Sequence, residues 1–199
     1  VRGEISLLPP AARSDCRAGE MPLPRLPVTL FAALSLALGG CFESSDALIT
    51  TANADHPWTA LRAAEFSWHD GAWKSEGYVT LRRDGSDYVL RDEESRDVTH
   101  FLLHQIGDNT YVAQSRGGSG SGDESYMFAL VVVEGKRVYQ YSFDDLSKRC
   151  KVPGIDPAAL KLKAYEDGCS VPSLAALTQI FVALQKSQPK FEAMYVIEP

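Results

Sequence analysis

Tyr126-Met127-Phe128-Ala129-Leu130-Val131-Val132-Val133 is the stretch on which the fold turns. From Met127 onward it is almost entirely apolar, where a strand with one wet face would alternate with polar residues. Such a run predicts a strand covered on both faces, either central in its sheet or packed under a helix. Glu134-Gly135-Lys136 breaks the run and Arg137 to Phe143 follows as a partner, so the pair predicts a hairpin at the heart of the core.

The same pattern extends upstream. Glu65 to Trp68 and Trp73 to Ser75 flank Asp70-Gly71, and Tyr78 to Arg82 and Tyr88 to Arg91 flank Asp84-Gly85. Both turns supply residues tolerant of positive φ. His100 to Gln105 and Tyr111 to Ser115 flank Gly107-Asp108-Asn109, and Ala193 to Ile197 reads as a final strand. The predicted fold class is mainly β: an antiparallel meander of about eight or nine strands forming a curved sheet or barrel, with one C-terminal helix packed on it.

That helix is read from Pro172 to Ser187. Leu174, Leu177, Ile180, Phe181 and Leu184 recur at three and four, which gives one apolar face to cover the sheet. Ser170 is the expected N-cap, Pro172 falls in the first turn, and Pro189 lies just past the end. A single lysine near its end argues against a membrane-surface helix. Between the third and fourth hairpins, Gly117 to Gly122 is glycine and serine alone, which predicts a mobile loop. It lacks the lysine of a phosphate-binding loop and leads into no helix.

The N-terminal region speaks to address. Met21 opens a segment with one positive charge at Arg25, the apolar run Val28 to Leu38 follows, and Leu38-Gly39-Gly40-Cys41 ends it. A charged lead, a short apolar core and a small-residue cleavage site make a secretory signal, too short and wrongly flanked for a spanning helix. The alternative is an uncleaved core helix with a buried cysteine. Leu38, Gly39, Gly40 and Cys41 resemble the lipobox of bacterial lipoproteins, an aliphatic residue and two small ones before an invariant cysteine. The resemblance implies cleavage between Gly40 and Cys41, a diacylglycerol thioether on Cys41 and acylation of the new amine, together enough for stable anchoring. Because Phe42 and not aspartate follows the cysteine, it also implies the outer membrane, facing the periplasm, with the inner membrane as the alternative. Residues 1–20, with two prolines, mixed charges and no hydrophobic period, are read as an over-extended gene model without order. The expected organisation is then a signal peptide over 21–40, a polar tether over 41–57 and a single β-rich domain over 58–199.

Four basic and three acidic residues precede Cys41. Of 20 basic and 26 acidic in the chain, 16 and 23 remain, net −7. No basic stripe is present for phosphate backbones, which excludes nucleic acid as the expected partner. Once exported, Cys150 and Cys169 face an oxidising space, and with Cys41 lipidated they are expected to form a disulfide. They lack the close spacing of a redox pair and the further ligands of a zinc site.

No catalytic constellation stands out, and no cofactor or metal is expected. His100 and His104 lie on a predicted strand, where four residues span about 13 Å, too far for one ion. Ser119 and Ser121 lack the spacing and strand-to-helix context of a nucleophile elbow. Asp92, Glu93, Glu94 and Asp97 lack the ligand spacing of a calcium loop and read as a solvated turn. Trp58, Trp68, Trp73, Tyr78 and Tyr88 could line an apolar ligand pocket, against the plainer reading as core or cross-strand pairs.

The functional expectation is a lipid-anchored envelope protein, not an enzyme. It would bind an envelope protein or a small apolar ligand through a barrel mouth or an exposed edge strand. The layout of elements is similar to that of small Gram-negative lipoproteins. A cell-wall hydrolase and an inhibitor of lysozyme are the alternative readings.

Overall fold

A computed structural model describes residues 42–118, 124–141, 143, 150–165, 168–187 and 191–199. Its strands are β1 (Phe42–Ser44), β2 (Ala60–His69), β3 (Ala72–Asp84), β4 (Asp87–Asp92), β5 (Val98–Gly107), β6 (Thr110–Gly118), β7 (Glu124–Glu134), β8 (Arg137–Tyr141), β9 (Lys163–Tyr165), β10 (Gly168–Ser170) and β11 (Phe191–Ile197). The helix α1 spans Leu174–Lys186. Residues 1–41, on which the expected signal and lipobox-like stretch with Gly40 and Cys41 fall, lie outside the described residues, as do Ser119 and Ser121 of the predicted loop.

The fold is mainly β, a closed antiparallel barrel of eight strands. β2 to β8 run as a meander, and β11 closes the circle by pairing with β8 on one side and β2 on the other. The four predicted hairpins are all present. Asp70 and Gly71 take positive φ at the β2–β3 turn, as expected.

Two predicted strands merge into one. Trp73 to Ser75 and Tyr78 to Arg82 both belong to β3, which runs unbroken through Gly77. Gly77, at φ +124°, adopts a backbone that an L side chain resists, and the pairing with β2 shifts there. Glu76 is the extra residue of this bulge, so the chain bends with the barrel instead of turning back.

β7 is covered on both faces, as its composition predicts. Phe128, Leu130 and Val132 face α1 on the outside, while Ala129, Val131 and Val133 face the barrel interior. Two cores result, one inside the barrel and one between barrel wall and helix. The helical core takes Leu177, Ile180, Phe181 and Leu184, all fully buried. Phe181 stacks on Phe143 at 5.4 Å and meets Phe42 edge-on at 5.8 Å.

The helix begins later than its sequence suggests. Ser173, not Ser170, is the N-cap and accepts from the Ala176 amide at 3.2 Å. Ser170 sits in β10, and Pro172 precedes the cap and is not in the first turn.

Residues 42–57 are not a tether. Phe42 opens β1, which pairs in parallel with β10 and antiparallel with β7. Phe42 and Ile49 are fully buried. Gln114, buried on the outer wall of β6, accepts from the Leu48 and Ile49 amides at 2.8 and 2.7 Å and donates to the Ile49 carbonyl at 2.8 Å. One side chain thus takes the place of a missing sheet ladder for this strap. The Cys150–Cys169 disulfide is formed, with Cα atoms 5.0 Å apart. Because Cys169 lies opposite Phe42, the bridge ties the strap, β10 and the chain before α1 into one outer layer.

Candidate functional site

Alternation along each strand decides what the barrel contains. Leu61 and Ala63 of β2, Val79 and Leu81 of β3, Leu90 of β4, Phe101 and Leu103 of β5 and Ala113 of β6 turn inward. They surround a cavity of about 70 Å³, completed by Thr99, Val131, Val138, Gln140 and Tyr195. Eight-stranded barrels have interiors just wide enough to be filled by side chains or to hold one small ligand. Here the small residues Ala63 and Ala113 leave the gap.

Trp58 covers one end. Its amide donates to the Tyr88 hydroxyl at 3.0 Å, and that hydroxyl donates in turn to the Trp58 carbonyl at 2.7 Å. The Trp58 ring lies edge-on to Tyr88 at 6.3 Å and near Tyr111 at 6.2 Å. Burial raises the Tyr88 hydroxyl above its ordinary pKa. The phenol is therefore a neutral clamp that fixes Trp58 over the mouth.

Toward the other end the interior becomes polar. Glu65 is only 5% exposed, one strand position beyond the apolar ring, opposite Tyr195 in the register of β2 and β11. Burial pushes its carboxyl up to about 7; the hydrogen bond from Tyr195 works against this, and the charges of Asp92 and Glu76 add to it. Burial and the neighbouring Glu65 raise Tyr195 well above the ordinary phenol range. Tyr195 joins the two regions, lining the cavity with its ring and donating its hydroxyl to Glu65. Glu76, the bulged residue, accepts from the Ser67 hydroxyl and lies 3.5 Å from His69.

The aromatic residues singled out in the sequence are divided by the barrel wall. Trp58 and Tyr88 come together at the mouth. Trp68 and Trp73 form a cross-strand pair on the outer surface, with ring centroids 5.3 Å apart. Tyr78 is also outside, beneath the guanidinium of Arg62, 4.0 Å from the ring centroid. Arg62 itself is paired with Glu93 and Glu198.

Other candidates take structural roles. His100 and His104 occupy one strand, β5, and His104 Nδ1 lies 2.7 Å from the Asn53 carbonyl. Asp92 accepts from the Glu94 and Ser95 amides at 2.6 and 2.7 Å, and Ser95 donates to Asp97 at 2.9 Å. The acidic stretch is thus a hydrogen-bonded turn between β4 and β5. Glu65, Tyr195 and Gln140 escaped sequence reading. Only a polar residue at an inward place in the alternation of β2, β8 and β11 could have revealed them, and that needs the closure of the barrel.

A second, wider groove of about 810 Å³ runs over the rim between the 47–51 strap and β5 to β7, lined by His100, Gln114, Arg116 and Tyr126 among others. Its lining mixes polar and apolar groups, with no apolar floor like that of the barrel.

What the fold defines is an eight-stranded antiparallel barrel with an apolar cavity that gives way to a polar interior at the Glu65 end. No family model, no curated protein and no solved structure matches the chain.

Proposed function

We propose that this protein is a lipid-anchored barrel of the bacterial envelope, held by lipid on Cys41, that binds a small apolar ligand and catalyses no reaction. The observation that carries the binding part is the cavity under Trp58, which presents almost only carbon. An apolar cavity of roughly 150 Å³ accepts benzene, so about 70 Å³ takes a short alkyl end or part of a ring. A larger ligand would bury its tail here and displace Trp58, whose clamp is two hydrogen bonds to one phenol.

The test uses the purified full chain titrated with short alkanols and toluene, followed by Trp58 emission in a Trp68→Phe, Trp73→Phe background. A saturable change is expected, together with a rise in thermal midpoint, because a ligand that binds only the folded state stabilises it. Ala113→Leu fills the cavity and should abolish both effects. Equal responses in the filled variant would refute a barrel site. The anchor is tested separately by intact mass: lipid added at a chain beginning with Cys41, absent from Cys41→Ser.

A further inference from the structure

We infer that the outer face of the barrel running from β8 across β11 and β2 to β3 seats on a lipid bilayer, beside the point where the membrane-held end of the chain enters the fold. The inference rests on the anchor proposed above.

The face is a continuous belt of rings. Trp68 is half exposed and meets Trp73 edge-on; Trp73 lies 6.3 Å from Phe191. Phe191 is 40% exposed and packs against Tyr139, which it helps to bury, at 4.6 Å and against the half-buried Tyr141 at 4.8 Å. Tyr139 and Tyr141 point outward because their strand neighbours Val138 and Gln140 are committed to the interior, Phe191 pairs with Tyr141, and Trp68, paired with Trp73, falls on the face of β2 opposite to Leu61 and Ala63. The layer under α1 meets the belt only at Tyr141, which packs against that core; Trp68, Trp73 and Phe191 lie clear of it. The exposed part of the belt is Trp68 and Phe191 joined by the partly exposed Trp73; exposed aromatic surface marks a place of interaction, and tryptophan favours the boundary between hydrocarbon and water.

The position of the chain's entry selects the bilayer as occupant. Glu43 lies opposite Met127 on the edge of β7, and Tyr141 lies opposite Leu130. β6 occupies the other edge of β7, so β1 and β8 follow one another along the same edge. Phe42 and Tyr141 are therefore about two residues apart, or about 7 Å. Phe42 directly follows Cys41, and the apolar run Val28 to Leu38 lies just upstream. A chain held at Cys41 thus brings the Tyr141 end of the belt to the membrane first, and the belt leads from there to Trp68. The net charge of −7 after Cys41 offers no attraction to anionic headgroups, so the seat is apolar in character and indifferent to salt.

The experiment places the full chain, expressed with its own N-terminal segment, in phosphatidylcholine vesicles with and without brominated acyl chains. Tryptophan emission of the wild type is compared with that of the Trp68→Phe, Trp73→Phe variant, and flotation is scored for both. Bromine should lower wild-type emission roughly two-fold, because two of the three indoles lie on the belt. It should leave the variant, with Trp58 enclosed by the barrel mouth, nearly unchanged, in low and high salt alike. Flotation with no more quenching in the wild type than in the variant overturns the inference and leaves the anchor standing. If neither protein floats, anchor and seat both fall. A concentration-dependent dimer without quenching assigns the belt to a second copy and overturns the bilayer.

Discussion

Replacing Glu65 with glutamine should abolish a pH dependence of stability that the barrel interior imposes. In the unfolded chain this carboxyl titrates near 4.5; in the fold it titrates at about 7, chiefly because burial disfavours its charge. Between these values the native state holds a proton that the unfolded state has released. Stability therefore falls as pH rises from about 4.5 to about 7 and levels off above that. A shift from 4.5 to about 7, at about 1.4 kcal/mol for each pH unit, makes the loss about 3 kcal/mol. A glutamine side chain at this position has nearly the same shape, can accept the Tyr195 hydroxyl and carries no charge to desolvate. Urea unfolding at pH 4 and pH 8 should show the two proteins within about 1 kcal/mol at the lower pH and Glu65→Gln more stable by about 3 kcal/mol at the higher, with equal denaturant slopes. A difference between the two proteins that does not change with pH would refute the claim that Glu65 is buried and protonated in the neutral range.

Reducing the Cys150–Cys169 bridge, or replacing both cysteines by serine, should cost about 3 kcal/mol, the loop-closure value for its separation of 19 residues, measurable as a lower urea midpoint. Gln114→Ala should cost about 3 kcal/mol by orphaning the buried Ile49 amide and carbonyl, and hydrogen exchange at Leu48 and Ile49 should accelerate while β4 stays protected. Ser173→Ala removes the acceptor for the Ala176 amide and should lower stability by about 1 kcal/mol, whereas Ser170→Ala should leave the helix end intact.

Local chemistry made much of this fold legible. The doubly apolar run of β7 announced a strand buried on both faces, and the structure supplies a barrel interior on one side and α1 on the other. The turns at Asp70-Gly71 and Asp84-Gly85 were readable because positive φ is a single-residue property, and the helix because its face repeats at three and four. Cys150 and Cys169 were readable as a pair from their number and the compartment expected for the chain. Local reading also splits β3 into Trp73 to Ser75 and Tyr78 to Arg82, and only the pairing with β2 shows that the residues between them form a bulge.

Tertiary structure decided the rest, because it depends on which distant residues meet. Closure of the barrel joins Tyr195 to Glu65 across most of the chain, and the burial that closure brings, outweighing the opposing hydrogen bond from Tyr195, makes Glu65 an acid titrating near neutrality. The same closure sends Trp58 to the mouth and Trp68 to the outside, although both are tryptophans near the start of one meander. Alternation assigns side chains to two faces but does not say which face is inside until the sheet curls on itself. Strand residues and a helix were determined by sequence alone; an apolar cavity, an acidic interior end and an aromatic outer belt required the barrel.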